Sequence, residues 1–448
     1  LLYKLSDEGP AFAAGDVNGD GLQDYFIGGA SGQESALYIA TEDGFIKTWS
    51  LPEVYEDVAA AFADLDNDGD LDLAVAAGGG QMPEGHAQNT NRIYVNDGTG
   101  GFTESYYYID TKKRNSSCVA ISDVDGDGWH DVFFGSKSII GAYGISPQNR
   151  LLRNIRGREY IDIPDSRIDG LSKNGMISDA VWADLDGDQR EDLILVGHWM
   201  PVTIYWNTGE GLAKEEIQET SGLYNHVSAS DINGDGRLDL LLGNVGLNHT
   251  LIGDDQELRL TLNDFDRDTI LDHIPVYDKG GVEYPVFHKA PLENRFNQLR
   301  KTSPTHAQFA TTAMAALFPS DIMKRTFVRK IDQFRSFGML NNGDRKWTIE
   351  SLPQSLQNYP IYDIVRIGDY YYCAGGDTGF QPLVGSMPSR TIKALDYDDG
   401  FRLVEQHDLL AEGNIRHLSP LKDKSGSDQL LVIRNNGKTS ALSVHSRD

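Results

Sequence analysis

Only two cysteines, Cys118 and Cys373, occur in 448 residues, too few for a disulfide framework. Each stands in an apolar run and reads as a small core residue. Long hydrophobic runs are missing too. No stretch approaches the roughly eighteen apolar residues of a membrane-spanning helix, so no transmembrane segment is expected. Positive charge is scarce: 40 Lys+Arg against 67 Asp+Glu leave a net charge of −27. Such a surface repels a phosphate backbone, which excludes a nucleic-acid partner. Disorder is excluded as well, because 40% hydrophobic and 10% aromatic residues supply a large core. The opening Leu1-Leu2-Tyr3-Lys4-Leu5 lacks the basic start and long apolar stretch of a signal peptide. The protein therefore reads either as cytosolic or as carrying its targeting segment outside this sequence.

What is abundant is aspartate in one repeated phrase, with oxygen side chains at its first, third, fifth and ninth positions. The copies are Asp16, Asn18, Asp20, Asp24; Asp64, Asp66, Asp68, Asp72; and Asp123, Asp125, Asp127, Asp131. They continue as Asp184, Asp186, Asp188, Asp192; Asp231, Asn233, Asp235, Asp239; and a weaker sixth, Asp264, Asp266, Asp268, Asp272. Alternate oxygens in a tight loop are what a hard cation requires, since Ca²⁺ takes six to eight oxygen ligands. A glycine at position six supplies the positive φ of such a turn, but Gln189 and Thr269 replace it in the fourth and sixth copies. An EF-hand would need Glu at position twelve, where Ile27, Val75, Phe134, Leu195 and Leu242 stand. Five Ca²⁺ sites are expected, with the sixth loop as an additional candidate.

Apolar runs flank every loop, as strands buried on both faces would. A third run, an Asn/Asp-x-Gly turn and a fourth run follow, as in Arg92–Phe102 and Val202–Leu212. The unit is a four-stranded antiparallel meander with the cation loop as its first turn. First ligands recur at intervals of 33 to 61 residues, which is the period of β-propeller blades. Two further meanders without ligands lie near 361–375 and 416–437, and Leu1–Leu5 is placed to close the ring. The expected fold is all-β: one propeller over 1–448, seven blades favoured with eight as the alternative. Between Tyr277 and Phe334 the alternation stops and helical spacing appears, at Leu292–Arg300 and Ala307–Leu317. This marks a helical, basic insertion over 279–333. Lys289–Arg335 holds nine Lys/Arg and three Asp/Glu, which suggests a partner-docking element.

These loops, with the Phe-Gly or Val-Gly ends of the strands after them, resemble the FG-GAP/VCBS repeat family of calcium-bearing β-propellers. Gly197–Pro201, Gly243–Asn248 and Asn263–Asp266 also look like a secreted bacterial VCBS branch with a helical insertion. The resemblance implies an extracellular or outer-membrane-associated location and a signal or lipid anchor outside this sequence. Gln189, Arg267 and Thr269 depart from the family pattern.

Loops joining second to third strands should emerge opposite the calcium loops, and binding residues concentrate on such loops. His86, Asn89, Tyr143, His198, Trp199, Asn248, His249 and Phe380 are the ligand-binding candidates there, their rings and amides suiting a sugar. No nucleophile elbow, zinc-protease helix or phosphate loop is present, and no catalytic residue is assigned. The favoured function is a non-catalytic, calcium-stabilised extracellular propeller that binds a glycan or protein partner, as an accessory subunit of an outer-membrane uptake or surface complex. The alternative is a polysaccharide-active lyase or hydrolase with a site in the central cleft.

Overall fold

The apolar runs on either side of each Asp loop pair as antiparallel strands, so the loop becomes the turn between them. Ala61 faces Ala74 across the second loop, and Ala120 faces Phe133 across the third. The computed structural model describes residues 8–108, 110–249, 257–377, 387–422 and 426–444. The proposed closing strand Leu1–Leu5 lies outside the described residues.

Each meander keeps its strands in chain order. The first strands are Phe12–Gly15, Asp57–Ala63, Ser116–Ser122, Met176–Ala183, Gly222–Ser230, Ile361–Ile367 and Leu409–Lys422. They stand side by side in that order around a central channel. The last returns to the first: Phe12 stacks on His417, whose Nε2 lies 3.0 Å from the Pro10 carbonyl. Tyr25, Leu431 and Ile433 fill that seam with Phe12 and Leu421. The architecture is an all-β propeller.

The core lies between blades. Val58, Ala74 and Ile93 pack against Val132, Phe134 and Leu152 of the next meander, and Ile194 and Trp206 against Leu240 and Phe337. Both faces of a blade are thus covered, which is why its strands are continuously apolar. Cys118 and Cys373 are free and buried in these layers.

At four of the seams an asparagine ties neighbouring blades. Asn154, Asn207 and Asn341 end their third strands and Asn96 directly follows its own, and each Nδ2 donates to a carbonyl of the preceding blade's Asp loop. The acceptors are Val17, Leu65, Val124 and Leu185, at 2.7–2.8 Å. The backbone N–H of each donates to the ninth-position aspartate of its own loop, at 2.7–2.9 Å.

The interruption is longer than the 279–333 read from sequence. Strand Asp239–Asn244 pairs with Phe337–Asn341, so everything between them is the second-to-third-strand connection of one blade. That connection carries its own sheet, in the order Glu283–Pro285, Asp272–Asp278, Leu258–Asn263, Phe327–Ile331. Helices Lys289–Arg295, Leu299–Thr302, His306–Thr311, Met314–Leu317 and Ser320–Met323 cover it. The sixth Asp loop joins two strands of this sheet and contributes no strand to the channel. Sequence alone hid this because a hairpin around an Asp loop reads the same in a blade and in an insertion.

Asn154→Ala is expected to lower stability by about 1–3 kcal/mol, because the buried Leu65 carbonyl and the half-buried His130 carbonyl both lose their donor. Denaturant unfolding measures it.

Candidate cation loops and central channel

The Asp loops share one internal design. In five of the six loops the first aspartate accepts the backbone N–H groups of positions five and six, as Asp123 does from Asp127 and Gly128 at 3.1 and 2.8 Å, and in the second Asp64 accepts that of Gly69. Positions four and six are both left-handed, from Gly19 and Gly21 (φ 71° and 83°) to Arg267 and Thr269 (64° and 70°). Gln189 and Thr269 therefore adopt the turn that glycine makes elsewhere, at a conformational cost. The ninth aspartate is buried in every copy and accepts the position-two N–H, as Asp72 does from Leu65 at 2.9 Å.

Ligand oxygens converge in four loops. Asp64, Asp66 and Asp72 lie within 4.8 Å of one another, as do Asp123, Asp125 and Asp127; Asp184, Asp186 and Asp192; and Asp264, Asp266 and Asp272. In the first and fifth loops Asn18 and Asn233 reach Asp20 and Asp235 at 3.0 and 3.2 Å. The second loop shows the best fit to a cation. Buried oxygens of Asp64, Asp66 and Asp70 have no hydrogen-bond partner, and among the described residues no Lys or Arg pairs with this loop. Burial pushes Asp72, Asp131 and Asp192 up to about 7, and burial with the neighbouring Asp68 pushes Asp70 up to about 6. A divalent ion supplies the charge that such sites lack.

Neighbouring loops touch, through Asn67 to the Gly128 carbonyl (2.8 Å) and His130 to the Asp64 carbonyl (2.8 Å). Elsewhere guanidinium groups brace the rims. Arg153 pairs with Asp125 and Asp127, Arg190 with Asp188, Arg237 with Asp235, and Arg345 with Asp186.

The central channel, of about 420 Å³, holds the charged residues that the sequence reading missed. A β-bulge at Val58, Ser117, Ser178, Asn225, Tyr362 and Arg416 lets consecutive side chains of the inner strands line it. His226 Nδ1 lies 3.4 Å from Asp179 and 3.8 Å from Asp363, carboxylates of the blades on either side. Burial alone would lower the pKa of His226, but the two carboxylates outweigh it and hold the ring above the usual range. Asp179 also accepts the Val227 N–H and Asp363 the Leu418 N–H, so each links its blade to the next. Arg416 lies over the Tyr362 ring at 3.8 Å, and Tyr362 donates to Asp377 at 2.8 Å. Lys137 pairs with Glu8 at 3.1 Å. A signal for part of this existed: Asp179 and His226 are polar interruptions of small apolar runs, five residues before a loop's first aspartate.

The ligand-binding candidates fall elsewhere. Tyr143, His198 and Trp199 come together: Trp199 Nε1 donates to the Tyr143 hydroxyl at 3.0 Å, and His198 Nδ1 is 3.4 Å from it. All three are buried, and burial pushes His198 down to about 3. Their cluster anchors the inserted sheet, whose Arg329 donates to the Gly144 and Trp199 carbonyls and to Ser146. Asn89 is buried, donating to the Met82 and Pro83 carbonyls at 3.0 Å. His86 is exposed and caps the short helix after it. Asn248 is exposed and donates to the Asn358 carbonyl, while the His249 ring lies tilted against Phe334. Phe380 lies outside the described residues.

Two repeat families match the chain. An FG-GAP-like repeat matches residues 16–75, 84–134 and 150–242, and an FG-GAP repeat matches 58–96. No curated protein matches significantly. Among solved structures the chain is similar to BBS1N in complex with ARL6DN, at 10% identity over 99% of this chain and 94% of that one, TM-score 0.44. It is also similar to the Dos1 propeller, at 9% identity over 98% and 93%, TM-score 0.42. A third similarity is to the extracellular domain of the putative hybrid two component system BT3049 from B. thetaiotaomicron. There the identity is 10%, over 97% of this chain and 40% of that one, with a TM-score of 0.43.

Gln189→Gly is expected to raise stability by about 1 kcal/mol, because the left-handed turn stays while the side-chain strain goes. The His226 pKa lies above that of an unfolded imidazole. Its stabilisation is therefore fully present below about pH 6.5 and lost as pH rises through the folded value. His226→Gln should accordingly cost most near pH 5 and least near pH 9, read from denaturant midpoints across that range.

Proposed function

We propose that this chain is a seven-bladed, calcium-stabilised propeller that acts outside the cytoplasm as a non-catalytic binding module of the secreted VCBS type. The observation that carries the calcium reading is the second loop, with its buried, unpartnered carboxylate oxygens and no competing cation. Asp64, Asp66, Asp68 and Asp72 would hold the ion there, and the corresponding side chains of the other four blade loops would do the same. Bound Ca²⁺ supplies positive charge that ties two strands and their turn together, and it stabilises the folded state by mass action. Extracellular modules work with sites of about 10⁻⁴–10⁻³ M, which agrees with a chain whose cation loops are largely exposed.

The partner is read as a glycan or a protein, and the chain as an accessory subunit of an outer-membrane or surface assembly. Support comes from the face away from the blade loops, where the insertion sits. Its last strand exposes Phe327 and Val328, with Lys324, Arg325 and Lys330 beside them on an otherwise acidic protein. Among the described residues no helix is long and apolar enough to cross a membrane. A polysaccharide-active alternative rests on the channel, where His226 lies between two carboxylates and Tyr362 meets Arg416.

Chelation is expected to lower the melting temperature by several degrees and added Ca²⁺ to restore it. Asp66→Ala should remove one ion per chain by native mass spectrometry. An unchanged melting curve together with no bound metal would sink the calcium reading. Polysaccharide screening that follows both retention and chain cleavage, paired with pull-down from native membranes, separates binding from turnover. Cleavage abolished by His226→Gln would favour the enzyme.

A further inference from the structure

The sixth Asp loop has the ligand spacing of the other five but different surroundings. In the blade loops the ninth aspartate spends its second oxygen on a backbone N–H: Ala40 for Asp24, and the strand-ending asparagines for Asp72, Asp131, Asp192 and Asp239. In the sixth loop that oxygen of Asp272 receives the Nε of Arg295, at 2.8 Å. The same guanidinium lies 2.9 Å from Asp268 and 3.7 Å from Asp266. It therefore spans the third, fifth and ninth positions at once. Arg153, Arg190, Arg237 and Arg345 touch only third- or fifth-position carboxylates of their loops.

The placement of Arg295 is built in from below. It ends the helix Lys289–Arg295, and the next residue, Phe296, is buried edge-on against Phe265 of the loop and against Phe318. Leu292, one turn back, is buried in the same cluster. Gln298 Nε2 reaches the Phe265 carbonyl at 3.4 Å, the position-two carbonyl that a blade asparagine satisfies elsewhere. Arg267, in the left-handed fourth position, pairs with Asp321 of helix Ser320–Met323 at 2.9 Å. The helices thus make bonds that asparagines of the blades make for other loops, and one of them brings a cation.

We propose that Arg295 is the resident cation of the 264–272 loop, holding its carboxylates in place of calcium and latching the helical segment to the inserted sheet. Arg295 takes Asp272 Oδ1 and neutralises Asp268, so a Ca²⁺ ion would compete with it for the carboxylate charge of this loop, where Asp266 Oδ1 is buried without a hydrogen-bond partner. The loop is then a structural joint that survives calcium removal, unlike the blade loops. This inference rests on the calcium reading for its contrast with the blades, while the latch itself is metal-free.

The test combines ion counting by native mass spectrometry with hydrogen exchange, on the full chain. Asp264→Asn should leave the number of bound Ca²⁺ ions unchanged, whereas Asp64→Asn removes one. Arg295→Met, which keeps the aliphatic stem, should add one ion. In chelator it should lose at least tenfold of the exchange protection over 264–278, regained on adding Ca²⁺. Arg295→Lys keeps a cation at the site and should retain the parent's ion count. The inference is overturned if Asp264→Asn removes an ion from the parent, or if Arg295→Met changes neither ion count nor protection. If no loop binds Ca²⁺, the calcium reading fails by itself, and protection in chelator still decides the role of Arg295.

Discussion

The buried ninth-position aspartate is the constraint on which the propeller depends. Its carboxylate has been taken out of water, and such a group must be fully bonded to remain. One oxygen closes its own loop through the position-two N–H. In four of the blades the other takes a backbone N–H from the asparagine at the end of the third strand, and that asparagine's side chain reaches back to the preceding blade. A single carboxylate thus couples the turn, the blade and the seam between blades. The Asp loop is the outer, solvated half of that arrangement, which is why loop and blade recur together along the chain.

A second consequence concerns charge. The net −27 reads at first as a uniformly acidic surface, but much of it is assigned to particular partners. Loop aspartates face their backbone donors, rim arginines and the proposed ions. Channel carboxylates face His226, Arg416 and Lys137. Part of the positive stretch in the insertion is consumed internally, by Arg295 in the sixth loop, Arg329 over the Tyr143 cluster and Lys289 with Glu293. What remains for a partner is the smaller exposed group around Phe327 and Val328.

Much of the fold was legible because its signals are local. The Asp phrase repeats at blade spacing, apolar runs flank it, and glycine or a tolerant substitute stands where φ is positive. The helical segment was legible for the same reason, through the spacing of Leu292, Phe296 and Leu299. The site was less so. Tyr143, His198 and Trp199 have the composition of a sugar platform, yet they are closed beneath the inserted sheet, because exposure depends on what another segment covers. The channel residues come from separate blades, and a bulge that turns both Ser178 and Asp179 inward leaves no mark on spacing.

By itself the sequence determined the repeated unit, the oxygen ligands available to a cation, the all-β class and the presence of a basic helical segment. Each of these follows from residues within a few positions of one another. Tertiary structure alone decided which meanders line the channel and that the sixth loop stands apart from them. It also decided that an arginine twenty-three residues beyond Asp272 meets that loop's carboxylates. Those outcomes depend on contacts between segments far apart in the chain, where packing of Phe265 against Phe296 and of one blade against the next selects the partner.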